Sequence, residues 1–350
     1  TRPVPHHHLL PPLLARLELL GIADSVVTFH VAVGGHPPMA DHEMVDILPP
    51  EVLGRYRVVS HDAERVDGLV HLGETSRGTP VRIARGFAAA DLKIVVGTIE
   101  PHQFVGFSGG VKSAAIGLAG LDTIERNHRL MTHPDSQIGA YSTNPARIDV
   151  EEIGRLVGID LALNAVLNHR REIVEVLAGD PVAVMEAGAP RARELCEVVV
   201  RDRYPVVVSS PGGHPKDINV YQAQKAVSAA ARIVRPGGTI VLVAACPEGA
   251  GSSHYEDWVS DKASREEVVE AFTAEGFRIG PHKAFQLARD SANARLIVCS
   301  DMPEELTTRL VLEPAADLQQ AVDLVTDGLG PDDRVAVLPR AATTLPYVDD

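Results

Sequence analysis

Cysteine is scarce in this chain of 350 residues: there are three, Cys196, Cys246 and Cys299, and no two are spaced C-x-x-C. That argues against a disulfide framework or a cysteine zinc site and fits a reducing compartment. Positive charge is also in deficit, with 33 Lys and Arg against 47 Asp and Glu, a formal net charge of −14. Partners that need basic patches, nucleic acid and anionic membrane among them, are thereby disfavoured. No signal peptide is visible, and apolar runs such as 239–246 are far too short to span a bilayer; a cytoplasmic location is expected. Two nucleotide-binding fingerprints are missing. No G-x-G-x-x-G follows a strand. The segment 106–113, GFSGGVKS, has Val111 where a Walker A loop requires glycine. The chain opens on Thr1-Arg2-Pro3 rather than methionine, so a further N-terminal segment is expected ahead of it.

Hydrophobic residues make up 45% of the chain and charged residues 23%, ordinary values for a globular protein large enough for two domains. An α/β chain of two α/β domains is expected, over residues 1–197 and 198–350, with the closing residues able to return to the first. Residues 9–20 read as a helix with Pro11 and Pro12 in its first turn. The preceding His6-His7-His8 cannot share one face and reads as a helix entry. Residues 26–33 read as a buried strand ending at Gly34-Gly35-His36. Residues 40–48 read as a helix, and 56–60, 68–72 and 81–83 as a meander of short strands. Residues 161–167 read as a strand paired with 172–178. Beyond residue 198, strands at 206–210, 239–246, 295–299 and 334–338 alternate with helices at 220–234, 265–275 and 318–326. That alternation predicts a doubly wound second domain, and the active site is expected in the cleft between the domains.

The chain is organised around residues 97–128. After an apolar strand at 92–96 come the turn pair Pro101-His102, the bend Gly106-Phe107-Ser108-Gly109-Gly110, and Lys112 at the start of a predicted helix, with His128 further on. A glycine bend opening a helix leaves backbone N–H groups aimed outward as an anion cradle. An anion cradle, an amine and two imidazoles in so short a stretch suit a site that holds a phosphorylated cofactor.

The same residues resemble the signature of the nickel-pincer lactate racemase family: Pro101-His102, then Gly106-Phe107-Ser108-Gly109-Gly110-x-Lys112, then Asn127-His128. Gly34-Gly35-His36-Pro37-Pro38-Met39 resembles that family's G-T-H-R-P-M segment. Asp217-x-Asn219-x-Tyr221-Gln222-Ala223-x-Lys225-Ala226 resembles its second-domain motif, Thr1-Arg2-Pro3 the end of its D-x-x-T-R-P, and 338–348 its tail.

The resemblance implies an isomerase that inverts C2 of a 2-hydroxy acid through a 2-keto acid. Its cofactor would be a pyridinium mononucleotide bearing two sulfur arms, tethered to Lys112 and holding Ni(II), with His128 as the protein's nickel ligand and His36 and His102 as the acid/base pair. Ser108, Gly109, Gly110 and Gln222 would contact the cofactor, and Arg2, Tyr221 and Lys225 the substrate. The partners implied are a small 2-hydroxy acid and the enzymes that assemble the cofactor.

The residue types suit that chemistry. A planar site of nitrogen and soft sulfur donors suits Ni(II), a lysine amine can anchor a cofactor covalently, and two histidines titrate near neutrality on either side of a reacting carbon. Gly35 and Pro37 depart from the family's Thr and Arg, removing a hydroxyl and a cation beside His36, so the acid is left unspecified. A nicotinamide-dependent 2-hydroxy-acid dehydrogenase would share the hydride chemistry but should carry the absent G-x-G-x-x-G. A non-catalytic nucleotide- or anion-binding homologue would have no need of His36, His102, Lys112 and His128 together.

Overall fold

The computed structural model describes residues 4–326 and 328–349. The chain divides into two compact units, Thr1–Leu195 and Cys196–Asp350.

The first unit is built on a sheet of three strands. Ile94–Ile99 runs parallel to Leu161–Leu167, which pairs antiparallel with Ile173–Gly179, one residue on from the expected 172–178. Helices Pro145–Val157 and Pro181–Cys196 contribute Val150, Ile153, Val184 and Met185 to a core shared with Val95, Ile99, Ala162 and Val166.

Four sequence expectations need correction here. The first helix is His6–Leu19, so Pro11 and Pro12 lie inside it rather than in its first turn. It tolerates them because Leu9 and Leu10 are each anchored in apolar clusters, packing that outweighs the lost backbone bonds. Residues 40–48 hold only the short helix Asp41–Met44, and Pro50 opens the next one, Pro50–Arg55, instead of marking a stop. Residues 56–83 are not one meander. Arg57–Ser60 pairs parallel with Thr28–Val31, whereas Leu69–Glu74 and Pro80–Ala84 form a separate antiparallel hairpin. In the second unit, the helix expected over 220–234 ends at Ala230, and Val234 already belongs to the next strand.

The second unit holds a five-stranded, wholly parallel sheet in the spatial order Glu313–Ala315, Arg295–Cys299, Val234–Val243, Tyr204–Ser209, Val335–Leu338. Alternate side chains serve opposite faces. Val207, Ile240, Leu242, Leu296 and Val298 pack with Ala223, Ala226 and Val227 of helix Val220–Ala230 and Ala284, Leu287 and Ala288 of helix Pro281–Asp290. Val206, Val241 and Ile297 pack with Ala321 and Val325 of helix Leu318–Thr326. Helices on both faces make this a doubly wound α/β unit. The strand order reverses at Tyr204–Ser209, and helix Val220–Ala230, which carries Gln222 and Lys225, follows the carboxyl end of that strand, where such sheets bind ligands. The last strand, Leu345–Val348, pairs with Glu197–Val200 inside the same unit. Among the described residues no helix is long and apolar enough to cross a membrane.

Candidate active site

Strand Ile94–Ile99 feeds a tight hairpin in which Pro101–His102 pairs antiparallel with Gly106–Phe107. His102 therefore sits on a strand of the hairpin, half-buried, rather than in an open turn. Gly106 has φ +73°, and a Cβ there would lie 1.6 Å from the Ala140 carbonyl oxygen, so only glycine fits. The imidazoles of His102 and His128 both rest edge-on against the Phe104 ring, with centroids 5.0 and 4.8 Å away. The structure thus brings these two predicted residues to one aromatic side chain. His128 is the last residue of helix Leu121–His128 and is half-buried.

The bend before Lys112 is closed from within. The Ser108 N–H donates to the Glu100 carbonyl (2.8 Å), and its Oγ accepts from Glu100 N–H (3.0 Å) while donating to the Thr98 carbonyl (2.9 Å). The Gly110 N–H donates to Asn164 Oδ1 at 2.7 Å. Gly110 has φ +56°, and a Cβ would come within 2.6 Å of Met185 Cγ. The helix that follows is the single turn Lys112–Ala115. The outward-facing anion cradle read from the sequence is therefore not formed by Ser108 and Gly110. Their donors are consumed in shaping the bend, and Lys112 emerges half-buried at its end.

Three of these pieces are held by the N-terminal end of one helix, Pro145–Val157. Its cap, Asn144, accepts the Arg147 N–H at 3.0 Å and donates from Nδ2 to the Phe104 carbonyl at 2.8 Å. Arg147, 1% exposed, donates to the carbonyls of Phe107 (3.0 Å) and Gly109 (3.3 Å) and to Glu151 (2.8 and 2.5 Å). Asp149, fully buried, accepts from Thr75 (2.6 Å), Thr79 (3.0 Å) and Asn127 Nδ2 (2.9 Å), and Asn127 also donates to the Ala146 carbonyl. One helix end thus fixes the hairpin of His102, the bend of Lys112 and the residue before His128. Sequence reasoning missed Asn144, Arg147, Asp149 and Asn164. The only local signals were the Asn144-Pro145 helix start and a lone polar residue, Asn164, inside an apolar strand.

His36 lies exposed in the loop after strand Thr28–Val31. Its loop is tied to the lysine turn by Gly34 N–H donating to the Gly117 carbonyl at 2.9 Å. In the second unit, Asn219 caps helix Val220–Ala230 by accepting the Gln222 N–H at 3.0 Å. Lys225 donates to Gln222 Oε1 at 2.7 Å, so the two share one helical face. Tyr221 is half-buried, its hydroxyl 3.5 Å from His282 Nε2, and burial raises its pKa. Arg2 lies outside the described residues.

The family model for the lactate racemase N-terminal domain matches residues 1–139, and that for the lactate racemase C-terminal domain matches residues 199–345. The chain is 31% identical over 345 residues to the lactate racemase of Lactiplantibacillus plantarum, covering 97% of this chain and 81% of that protein. It is 27% identical over 351 residues to the lactate racemase of Thermoanaerobacterium thermosaccharolyticum, covering 99% and 82%. The solved structure of the lactate racemase apoprotein from Thermoanaerobacterium thermosaccharolyticum superposes with a TM-score of 0.93 at 26% identity, over 99% of this chain and 84% of that one. A protein from Thermotoga maritima shares the fold at a TM-score of 0.75 and 15% identity, over 99% and 91%.

Proposed function

Because the chain belongs to the lactate racemase family, and is thus an isomerase, we propose that it inverts C2 of a small 2-hydroxy acid using a nickel-pincer nucleotide carried on Lys112. The observation that carries this reading is the shared support by Asn144, Arg147 and Asp149 of the segments bearing His102, Lys112 and His128. A site built for positioning needs such backing.

The donor set fits the cofactor. Lys112 supplies a half-buried amine for covalent attachment and His128 one imidazole for nickel. Among the described residues no group of three or more His, Cys, Asp or Glu side chains is placed to hold a metal. Nickel held at His128 therefore takes its other donors from a non-protein group, as the pincer's carbon and two sulfurs would provide. When bound, that group supplies a reversible acceptor for the hydrogen on C2.

The remaining work falls to side chains of the protein. Loss of hydrogen from C2 requires the hydroxyl proton to leave at the same time, giving a 2-keto acid; return of hydrogen to the opposite face requires a proton donor there. His36 and His102 take these two roles, each holding or giving the proton at the substrate oxygen. Arg2, Tyr221 and Lys225 bind the carboxylate, and Gln222 and the bend of Ser108, Gly109 and Gly110 border the cofactor. The three free cysteines fit a cytoplasmic location, where the cofactor-assembly enzymes would load the protein.

The test is chiral analysis of single-enantiomer 2-hydroxy acids incubated with the full-length protein co-expressed with those enzymes. At least one acid should racemise, and the intact mass should show an adduct that Lys112→Ala lacks. An adduct of unchanged mass in Lys112→Ala, or no inversion by a fully loaded protein across aliphatic, aromatic and dicarboxylic acids, would refute the assignment.

A further inference from the structure

A cavity of about 440 Å³ opens in the first unit, within the range of about 300–1,000 Å³ usual for small-molecule sites. Its walls include Arg77, Thr79, Arg126, Arg129, Leu130 and His133. The three arginines come from separate pieces of chain. Arg77 lies in the turn between strands Leu69–Glu74 and Pro80–Ala84, Arg126 in the last turn of helix Leu121–His128, and Arg129 at the start of the 3-10 turn Arg129–Thr132. All three are exposed. Their supports are not. Asp149 accepts from Thr75 and Thr79 on the hairpin and from Asn127 on the helix, so one buried carboxylate fixes the Arg77 turn against the helix that carries Arg126. Arg126 also reaches the Arg77 carbonyl at 3.5 Å. Among the described residues no carboxylate lines the cavity. Asp135 stands 3.7 Å from His133 Nδ1. Glu152 accepts the Ser76 N–H and hydroxyl, each at 2.7 Å, while also feeling Arg77 and Arg155. A basic residue at a helix carboxyl end complements the dipole, which accounts for Arg126 alone. It leaves Arg77 and Arg129 unexplained on the same cavity, where like charges repel one another in a chain of net charge −14.

We propose that this cavity binds a phosphorylated small molecule, its phosphate oxygens held by Arg77, Arg126 and Arg129. The guanidinium fork matches phosphate oxygens two at a time, and a recess lined by one sign of charge concentrates the opposite ion from solution. Arg126 and Arg129 flank His128 in the sequence, so a bound phosphate steadies the segment that carries the nickel ligand of the proposed function. A free phosphorylated metabolite and the phosphate of a mononucleotide cofactor offer the same chemistry. The second source rests on the proposed cofactor; the seat itself does not.

Titration calorimetry of the unloaded full-length protein with pyrophosphate, at pH 7.5 in 0.1 M sodium chloride, reads this directly. The wild type should bind, and Arg126→Met and Arg129→Met should each weaken binding about tenfold or more. Both positions are exposed, so the variants should fold, which circular dichroism checks. Arg82→Met removes an equal charge outside the cavity, from a side chain paired with Asp122 at 3.1 Å, and should bind as the wild type does. No binding by the wild type, a folded Arg126→Met or Arg129→Met that matches it, or an equal loss in Arg82→Met would each overturn the proposal. Repeating the titration on protein co-expressed with the cofactor-assembly enzymes separates the two sources. Binding that persists assigns the seat to a free phosphorylated ligand, and binding lost on loading assigns it to the mononucleotide. None of these readouts needs turnover, so a protein that binds pyrophosphate through Arg129 yet never racemises keeps the seat and loses the racemase reading.

Discussion

Replacing Arg147 by Met removes the guanidinium that holds the bend ahead of Lys112 and keeps most of its apolar volume. Breaking a buried ion pair from one side costs about 3–5 kcal/mol, and each stranded buried carbonyl about 1–3 kcal/mol. The Glu151 side chain keeps 16% exposure and retains the Tyr141 hydroxyl at 3.3 Å, which softens the first figure. A penalty of about 3–4 kcal/mol is expected, and at 1.4 kcal/mol per tenfold it would open the bend roughly 100- to 1000-fold more often. Amide hydrogen exchange over residues 107–113 measures this, with urea unfolding to separate local from global loss. The double variant Arg147→Met/Glu151→Met no longer strands a carboxylate and should recover about 1–3 kcal/mol. If exchange in the bend of Arg147→Met matches the wild type, Arg147 does not hold Lys112 in place and the support assigned to helix Pro145–Val157 is wrong.

His128→Ala should retain the mass adduct but lose nickel by elemental analysis; full nickel content would remove His128 from the metal. His36→Ala and His102→Ala should each slow racemisation by about 100-fold or more while leaving the adduct intact, and normal rates in both would exclude a two-base scheme. His61, 4% exposed, donates from Nε2 to the Ala119 carbonyl at 2.8 Å, and burial holds its pKa below 6.5. The unfolded chain then takes its proton first, so this contribution is complete above pH 6.5 and is lost as pH falls from there toward the folded pKa. His61→Gln should flatten the stability profile in that window, and urea midpoints of unchanged pH dependence would refute the account.

The second unit was largely legible because strands buried on both faces read as unbroken apolar runs. Arg295–Cys299, Arg265–Glu275 and Leu318–Thr326 begin and end where the residues suggest. The helices Ser253–Val259 and Pro281–Asp290 were not foreseen, and with the latter went His282. In the first unit, the order Pro101-His102, Lys112, His128 could be read directly, whereas its supports could not. Arg147 meets its carbonyl partners some 40 residues back, and Asp149 meets Thr75 at a separation of 74. No periodicity or local spacing records such pairings. The Gly110 N–H is taken for a related reason: Asn164, on a strand far along the chain, accepts it.

The bond from Gly34 to Gly117 links two events that chemistry alone would treat separately. The Gly34 N–H reaches the Gly117 carbonyl, and the Gly117 N–H in turn reaches the carbonyl of Lys112. Under the proposed tether, a load on that lysine would bear on backbone to which the His36 loop is bonded, so loading and the placement of His36 would be coupled.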